Sequence, residues 1–205
     1  MENKVEEILK SLKIDEEVLA IFPYGSRVYG TANEDSDHDY IIVTKGAFLK
    51  SGGFRQNAIS SSDWKIQGVL FSRSGFIDAI NNYEMGPLEC LFLGPSQVVL
   101  SKWSFKIQKW DEKEMINKVI QKASASWHIA SEQSKGGWKD RAKKGIFHAL
   151  RILMFGIQLK ENQKIIDFTQ ANELKKEIDR LPDDMFDDRM YLSLRDELMT
   201  KLRES

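Results

Sequence analysis

The stretch Phe22 to Val43, FPYGSRVYGTANEDSDHDYIIV, constrains this chain more than any other. It reads as the end of one strand at Pro23, a glycine-bearing turn, and a second strand from His38 to Thr44. The core of that second strand, Tyr40-Ile41-Ile42-Val43, is apolar enough for a central position in a sheet. Asp37 and Asp39 stand two apart at its start, so their side chains share one face. Two carboxylates held side by side repel each other unless a cation lies between them, and hard oxygen ligands suit Mg²⁺ or Mn²⁺. Taken alone, Glu34 to Asp39 reads more simply as a solvated acidic turn that precedes a strand. Gly25-Ser26, twelve residues before Asp37, changes that reading. A glycine after a short apolar strand lets backbone N–H groups approach an anion, the serine hydroxyl adds a donor, Arg27 can add charge, and a following helix start favours phosphate. A lone Gly-Ser is an ordinary turn; with the paired aspartates it predicts a phosphate cradle and a metal clamp, the metal ions being Mg²⁺ or Mn²⁺.

The rest of the chain sets the frame. With 205 residues it suits one domain, or one small domain with a helical extension. A formal net charge of −1 excludes a global basic field of the kind that marks many nucleic-acid binders. The single cysteine, Cys90, lies in an apolar run, which excludes a disulfide framework and a multi-cysteine zinc site and points to a buried thiol. The first residues lack the apolar core of a signal peptide, and no run reaches about 18 apolar residues, so the expected setting is cytoplasmic, without a membrane span.

Periodicity predicts an amphipathic helix over residues 2–12, strands over 16–22, 38–44 and 64–71, and an exposed loop over 45–62. A helix begins at Phe76 and is interrupted at Gly86-Pro87. Helical patterns then cover 112–132, 138–161, 170–180 and 187–203. The expected fold is α/β (α+β): a small mixed-sheet core, residues 1–108, followed by an all-helical C-terminal region, residues 109–205, with the site in the cleft between them.

The pattern apolar-Gly-Ser, spacer, Asp-x-Asp-apolar resembles the DNA polymerase beta-like nucleotidyltransferases. More narrowly, GSRVYGTANEDSDHDY resembles the predicted nucleotidyltransferases associated with RNA repair (the RlaP/YcgL-like group). Gly86 to Phe92 and the helix Lys143 to Leu159, with its His-Ala-x-Arg core, are similar to later motifs of that group. The resemblance implies a nucleoside triphosphate with its phosphates on Gly25-Ser26 and two metal ions on Asp37 and Asp39. It also implies transfer of a nucleoside monophosphate to an acceptor hydroxyl, foremost an RNA or tRNA end. A third carboxylate on the next strand usually completes such a set. Spacing back from Phe76 puts it at Gln67, a neutral residue; Asp63 is the nearest acid and serves as third ligand if the register is shifted. With Gln67 there, the same fold could instead be a nucleotide- or RNA-binding protein with weak or lost catalysis.

In the second half, Lys135 to Lys144 interleaves five basic residues with Trp138. Such a stretch can track a nucleic-acid backbone and stack a base, or simply start a helix with the tryptophan anchored in the core. The helix that follows sets Lys144, His148 and Arg151 about a turn apart on one face, a stripe suited to triphosphate or RNA phosphate. Arg141 and His148 also fit the loose spacing of HEPN-type ribonucleases, a metal-free alternative. His38 should point away from the aspartate face, and His128 reads as structural. Glu89, an acid within an apolar run, needs a partner, for which Arg27, Arg151 or a helix terminus are candidates.

Overall fold

A computed structural model describes residues 2–46 and 56–204. Two compact units divide it, residues 1–109 and 110–205. Unit 1 is built on a five-stranded mixed sheet in the order β3-β4-β2-β1-β5. Its strands are β1 (Val18–Tyr24), β2 (His38–Thr44), β3 (Gln56–Ser60), β4 (Ile66–Ser72) and β5 (Leu100–Ser101). The central strand β2 pairs antiparallel with β1 and parallel with β4.

Both faces of β2 are covered, which is why its middle is continuously apolar. Ile41 and Val43 join Ala20, Phe22 and Phe71 under Phe76, Ala79 and Ile80 of α3 (Arg73–Asn81) and Cys90 of α4 (Met85–Cys90). Tyr40 and Ile42 face the other way, with Ile21 and Leu70, against Ile8 of α1 (Glu2–Ser11) and Leu12 just beyond it. Burying each such side chain contributes roughly 1.5–3 kcal/mol. Pro23 is tolerated inside β1 because β5 pairs only with Ala20 and Ile21, leaving the far end of β1 as a sheet edge.

The sheet corrects the sequence reading in three places. β3 lies within residues 45–62, expected to be loop; residues 47–55 of that stretch lie outside the described residues. Its short polar sequence, QNAIS, carries little strand signal, and pairing with β4 decides its state. Gly86-Pro87 does not interrupt a helix. It sits in the first turn of α4, where proline's missing N–H costs nothing. β4 runs straight into α3, whose N-cap Ser72 accepts from the Gly75 N–H at 3.0 Å, so the helix starts before Phe76.

Unit 2 is helical. After the one-turn α2 (Ser26–Tyr29) of unit 1, the helices continue as α5 (Glu112–Lys135), α6 (Lys139–Asn162), α7 (Asn172–Arg180) and α8 (Leu192–Arg203), the last preceded by a 3-10 turn over Asp188–Tyr191. Trp127 and Ala130 of α5 pack with Ile146, Phe147 and Leu150 of α6 and with Ile178 and Phe186. Gly145 permits a close crossing: a Cβ there would stand 2.6 Å from the Ala130 Cβ. None of the described helices is long and apolar enough to cross a membrane.

Candidate active site

Three strand ends meet at one row. Antiparallel pairing sets Tyr24 of β1 opposite Asp39 of β2, and parallel pairing sets Gln67 of β4 beside Asp39. Asp37 lies one step before β2, and the Gln67 amide nitrogen donates to its Oδ2. Asp37 and Asp39 therefore face the same side of the sheet, with His38 turned to the other, where its ring stacks on Tyr40 at 6.4 Å.

Gly25 shapes the opposite wall. Its φ of +76° is left-handed, and a Cβ on it would stand 3.0 Å from Asp39 Cγ and closer still to Oδ2. The Asp39 carboxylate thus lies directly on the bare backbone of the turn. Ser26 opens α2, a single turn closed by Gly30 in the left-handed region, where the Thr31 N–H bonds Ser26 O at 2.9 Å. Arg27 is a brace: its Nε donates to Asp37 O at 3.0 Å and a terminal nitrogen to Ser36 O at 2.6 Å. The guanidinium fixes the loop from which Asp37 projects.

Electrostatics mark the pair. The Asp39 carboxyl is pushed up to about 6, first by burial and then by the charge of Asp37, with Arg27 opposing. A cation between the two would relieve both effects.

Asp63 does not join them. It sits in the exposed turn between β3 and β4, where its Oδ1 accepts from the Ser61 hydroxyl at 2.6 Å and the Lys65 N–H at 3.1 Å. Those bonds hold its carboxyl below the usual range. Asp63 lines a hollow of about 720 Å³ with Lys4, Glu7, Arg27, His38 and Tyr40, the residues of the α1 face among them. Among the described residues no group of three or more His, Cys, Asp or Glu side chains gathers to hold a metal ion. The third position of the row is Gln67.

Glu89 is buried at 2% exposure and accepts a 2.6 Å hydrogen bond from the Tyr29 hydroxyl, which ties α4 to the turn of Gly25. The place of Tyr24 beside Asp39 follows from strand register, and the bond of Tyr29 to Glu89 spans sixty residues; neither is a local sequence signal.

The basic residues of unit 2 divide. Lys143 is buried, donating to Leu181 O at 2.6 Å and to Asp183 at 2.5 Å, and Lys139 donates to Ser134 and to Phe186 O. Both are structural. Trp138 is no core anchor: it is 59% exposed, with the Arg141 guanidinium 4.8 Å from its ring centroid. The stripe Lys144, His148, Arg151 is not a row of three solvated cations. Lys144 is exposed, but Arg151 is buried and its guanidinium meets His148 Nδ1 at 2.9 Å. Guanidinium only donates, so Nδ1 accepts and the ring proton belongs on Nε2. Burial first, then the charges of Arg151 and Lys122, push the His148 imidazole down to about 3, so it is neutral. Arg141 and His148 lie about 10 Å apart along α6, Arg141 against Trp138 and His148 against Arg151. His128 is exposed on α5.

The fold agrees with what comparison finds. The nucleotidyltransferase domain family matches residues 3–179, and the chain belongs to that family. Among solved structures it is similar to spectinomycin adenyltransferase AAD(9) from Enterococcus faecialis, determined with ATP and spectinomycin. That likeness has a TM-score of 0.52 and 11% identity over 98% of both chains, and it is one of fold. A nucleotidyltransferase-like protein from Exiguobacterium sibiricum 255-15 aligns with TM-score 0.35 and 13% identity over 98% of this chain and 73% of that one. No curated protein sequence matches the chain.

Proposed function

We propose that unit 1 binds a nucleoside triphosphate together with one divalent cation and transfers its nucleoside monophosphate to an acceptor, releasing pyrophosphate. The observation that carries this reading is the pair Asp37 and Asp39 on one face, with the Asp39 carboxylate set against the bare turn of Gly25 and its carboxyl raised to about 6, first by burial and then by the charge of Asp37. Two carboxylates, joined by no third acid among the described residues, fit one Mg²⁺ or Mn²⁺ completed by water and phosphate oxygens. They do not fit the two-ion clamp expected from sequence, because the Gln67 amide adds no charge and donates to Asp37. When bound, the cation would neutralise triphosphate charge. The phosphates would lie along Gly25 and Ser26, with Arg27 holding the Asp37 loop in place.

An RNA end as acceptor rests on the resemblance of Gly25-Ser26-Arg27-x-Tyr29-Gly30 and Ser36-Asp37-x-Asp39-Tyr40 to the RNA-repair-associated group. Gln67 favours a second reading, a nucleotide-binding protein with little catalysis, since the position of the third acid holds an amide. One experiment separates them. The protein is incubated with each α-labelled nucleoside triphosphate, Mg²⁺ or Mn²⁺, and a panel of RNAs and proteins, while calorimetry measures binding. Label transfer that vanishes in Asp37→Ala and Asp39→Ala supports the transferase. Metal-dependent binding without transfer supports the second reading. Transfer that persists in both variants sinks the site.

A further inference from the structure

We propose that Trp64 is a stacking platform for a base of a single-stranded RNA acceptor, presented at the strand ends that carry Asp37 and Asp39. The inference rests on the transfer reaction and the RNA acceptor proposed above. Parallel pairing puts the first residues of β2 and β4 at one end of the sheet, His38 beside Ile66, and the His38 N–H donates to Lys65 O at 2.8 Å. Trp64 is the next residue back along the chain, so the turn that carries it is bonded to the strand that carries the aspartates. That turn is rigidly built. The Trp64 N–H closes it on Ser61 O at 3.1 Å, the Asp63 carboxylate accepts from the Ser61 hydroxyl and the Lys65 N–H, and the Ser61 oxygen accepts in turn from the Ile66 N–H at 3.0 Å. Trp64 itself has a φ of +60°, in the left-handed region that bulky residues rarely adopt, and is 67% exposed. Glycine takes that conformation without strain, and a ring left in water gains little from packing, so the needs of the fold do not account for a tryptophan here.

Its surroundings select the ligand. Ser62, Asp63 and Lys65 flank the ring in sequence, and among the described residues of unit 1 no other large hydrophobic side chain is exposed. A protein partner needs a contiguous apolar patch. One ring in polar company suits a flat group with apolar faces and polar edges, and a nucleobase is such a group. Asp63 and Lys65 also line the hollow of about 720 Å³, where Lys4, Arg27 and Lys65 are matched by Glu7, Glu34 and Asp63. With cations and acids balanced, RNA phosphates gain little there, and stacking carries the affinity. In a duplex the base faces are covered, so the single strand is the form recognised.

The test measures binding of a short labelled single-stranded RNA, and of the same RNA as a duplex, to the full chain by fluorescence anisotropy, with calorimetry of nucleoside triphosphate and Mg²⁺ alongside. The single strand is expected to bind more tightly than the duplex, with a shallow dependence on salt. Trp64→Ala is expected to lose about fivefold or more in RNA affinity and Trp64→Phe to stay within about threefold of the wild type, with triphosphate binding kept in both. Trp64→Gly is expected to lose RNA as Trp64→Ala does and to melt no lower than the wild type, because glycine relieves the positive φ. Unaltered RNA affinity in Trp64→Ala overturns the proposal. A lower melting temperature in Trp64→Gly also overturns it, since the ring then serves the fold. Triphosphate binding with no binding of RNA overturns it while leaving the nucleotide site standing, whereas a chain that binds no triphosphate refutes the proposed function itself and the inference with it.

Discussion

At the scale of single residues, Gly25 serves Asp39 whatever ligand comes later. Its left-handed φ and the carboxylate lying on its Cα leave no room for a side chain. Gly25→Ala is expected to cost about 1–3 kcal/mol in urea unfolding and to weaken metal-dependent nucleotide binding. Asp39 gives a pH signature. Its folded carboxyl is raised to about 6 from an ordinary value near 4, so the cation-free protein loses stability as pH rises through that window. Asp39→Asn should therefore raise cation-free stability at pH 7–8 by about 1–2 kcal/mol, with screening by water allowed for, and should abolish stabilisation by Mg²⁺. His148 has the opposite sign. Its folded value is depressed to about 3, so the stability it contributes is complete above about 6.5 and is lost as pH falls toward 3. The slope approaches about 1.4 kcal/mol per pH unit, and His148→Gln is expected to flatten it. Nitrogen chemical shifts of the wild-type ring should show the Nε2–H tautomer persisting at pH 5.

At the scale of elements, what could be read ahead was what periodicity carries. The apolar core of β2, the paired aspartates at its start and the long helices α5 and α6 are local patterns, and the structure has each of them. What could not be read was long-range. The strand order that puts Tyr24 and Gln67 on either side of Asp39 depends on a parallel crossover, and β3 is specified by its partner more than by its own residues. Charge was the other blind spot: Lys139, Lys143 and Arg151 look like a solvated basic face in sequence, yet each is tied to a partner within unit 2. Two packing contacts test the elements directly. Tyr29→Phe removes the donor to buried Glu89 and should cost about 1–3 kcal/mol. Gly145→Val forces α6 off Ala130 and should cost a similar amount through overpacking, seen as a lower melting temperature with unchanged helix content.

For the whole molecule, ligand binding is the natural reporter. A nucleotide that binds only the folded chain at a hundred times its Kd stabilises it by about 2.7 kcal/mol. The expected rise in melting temperature with Mg²⁺ and the preferred triphosphate should disappear in Asp37→Asn, which keeps the shape of the site and removes its charge. The place of Gln67 in the Asp39 row has a consequence for the history of such a chain. Glutamine and glutamate codons differ only at their first base, so a single nucleotide change at codon 67 separates this site from one with three carboxylates. A population of cells carrying this gene can sample the acidic version in every generation, and growth selection between the two alleles would show which chemistry the host retains.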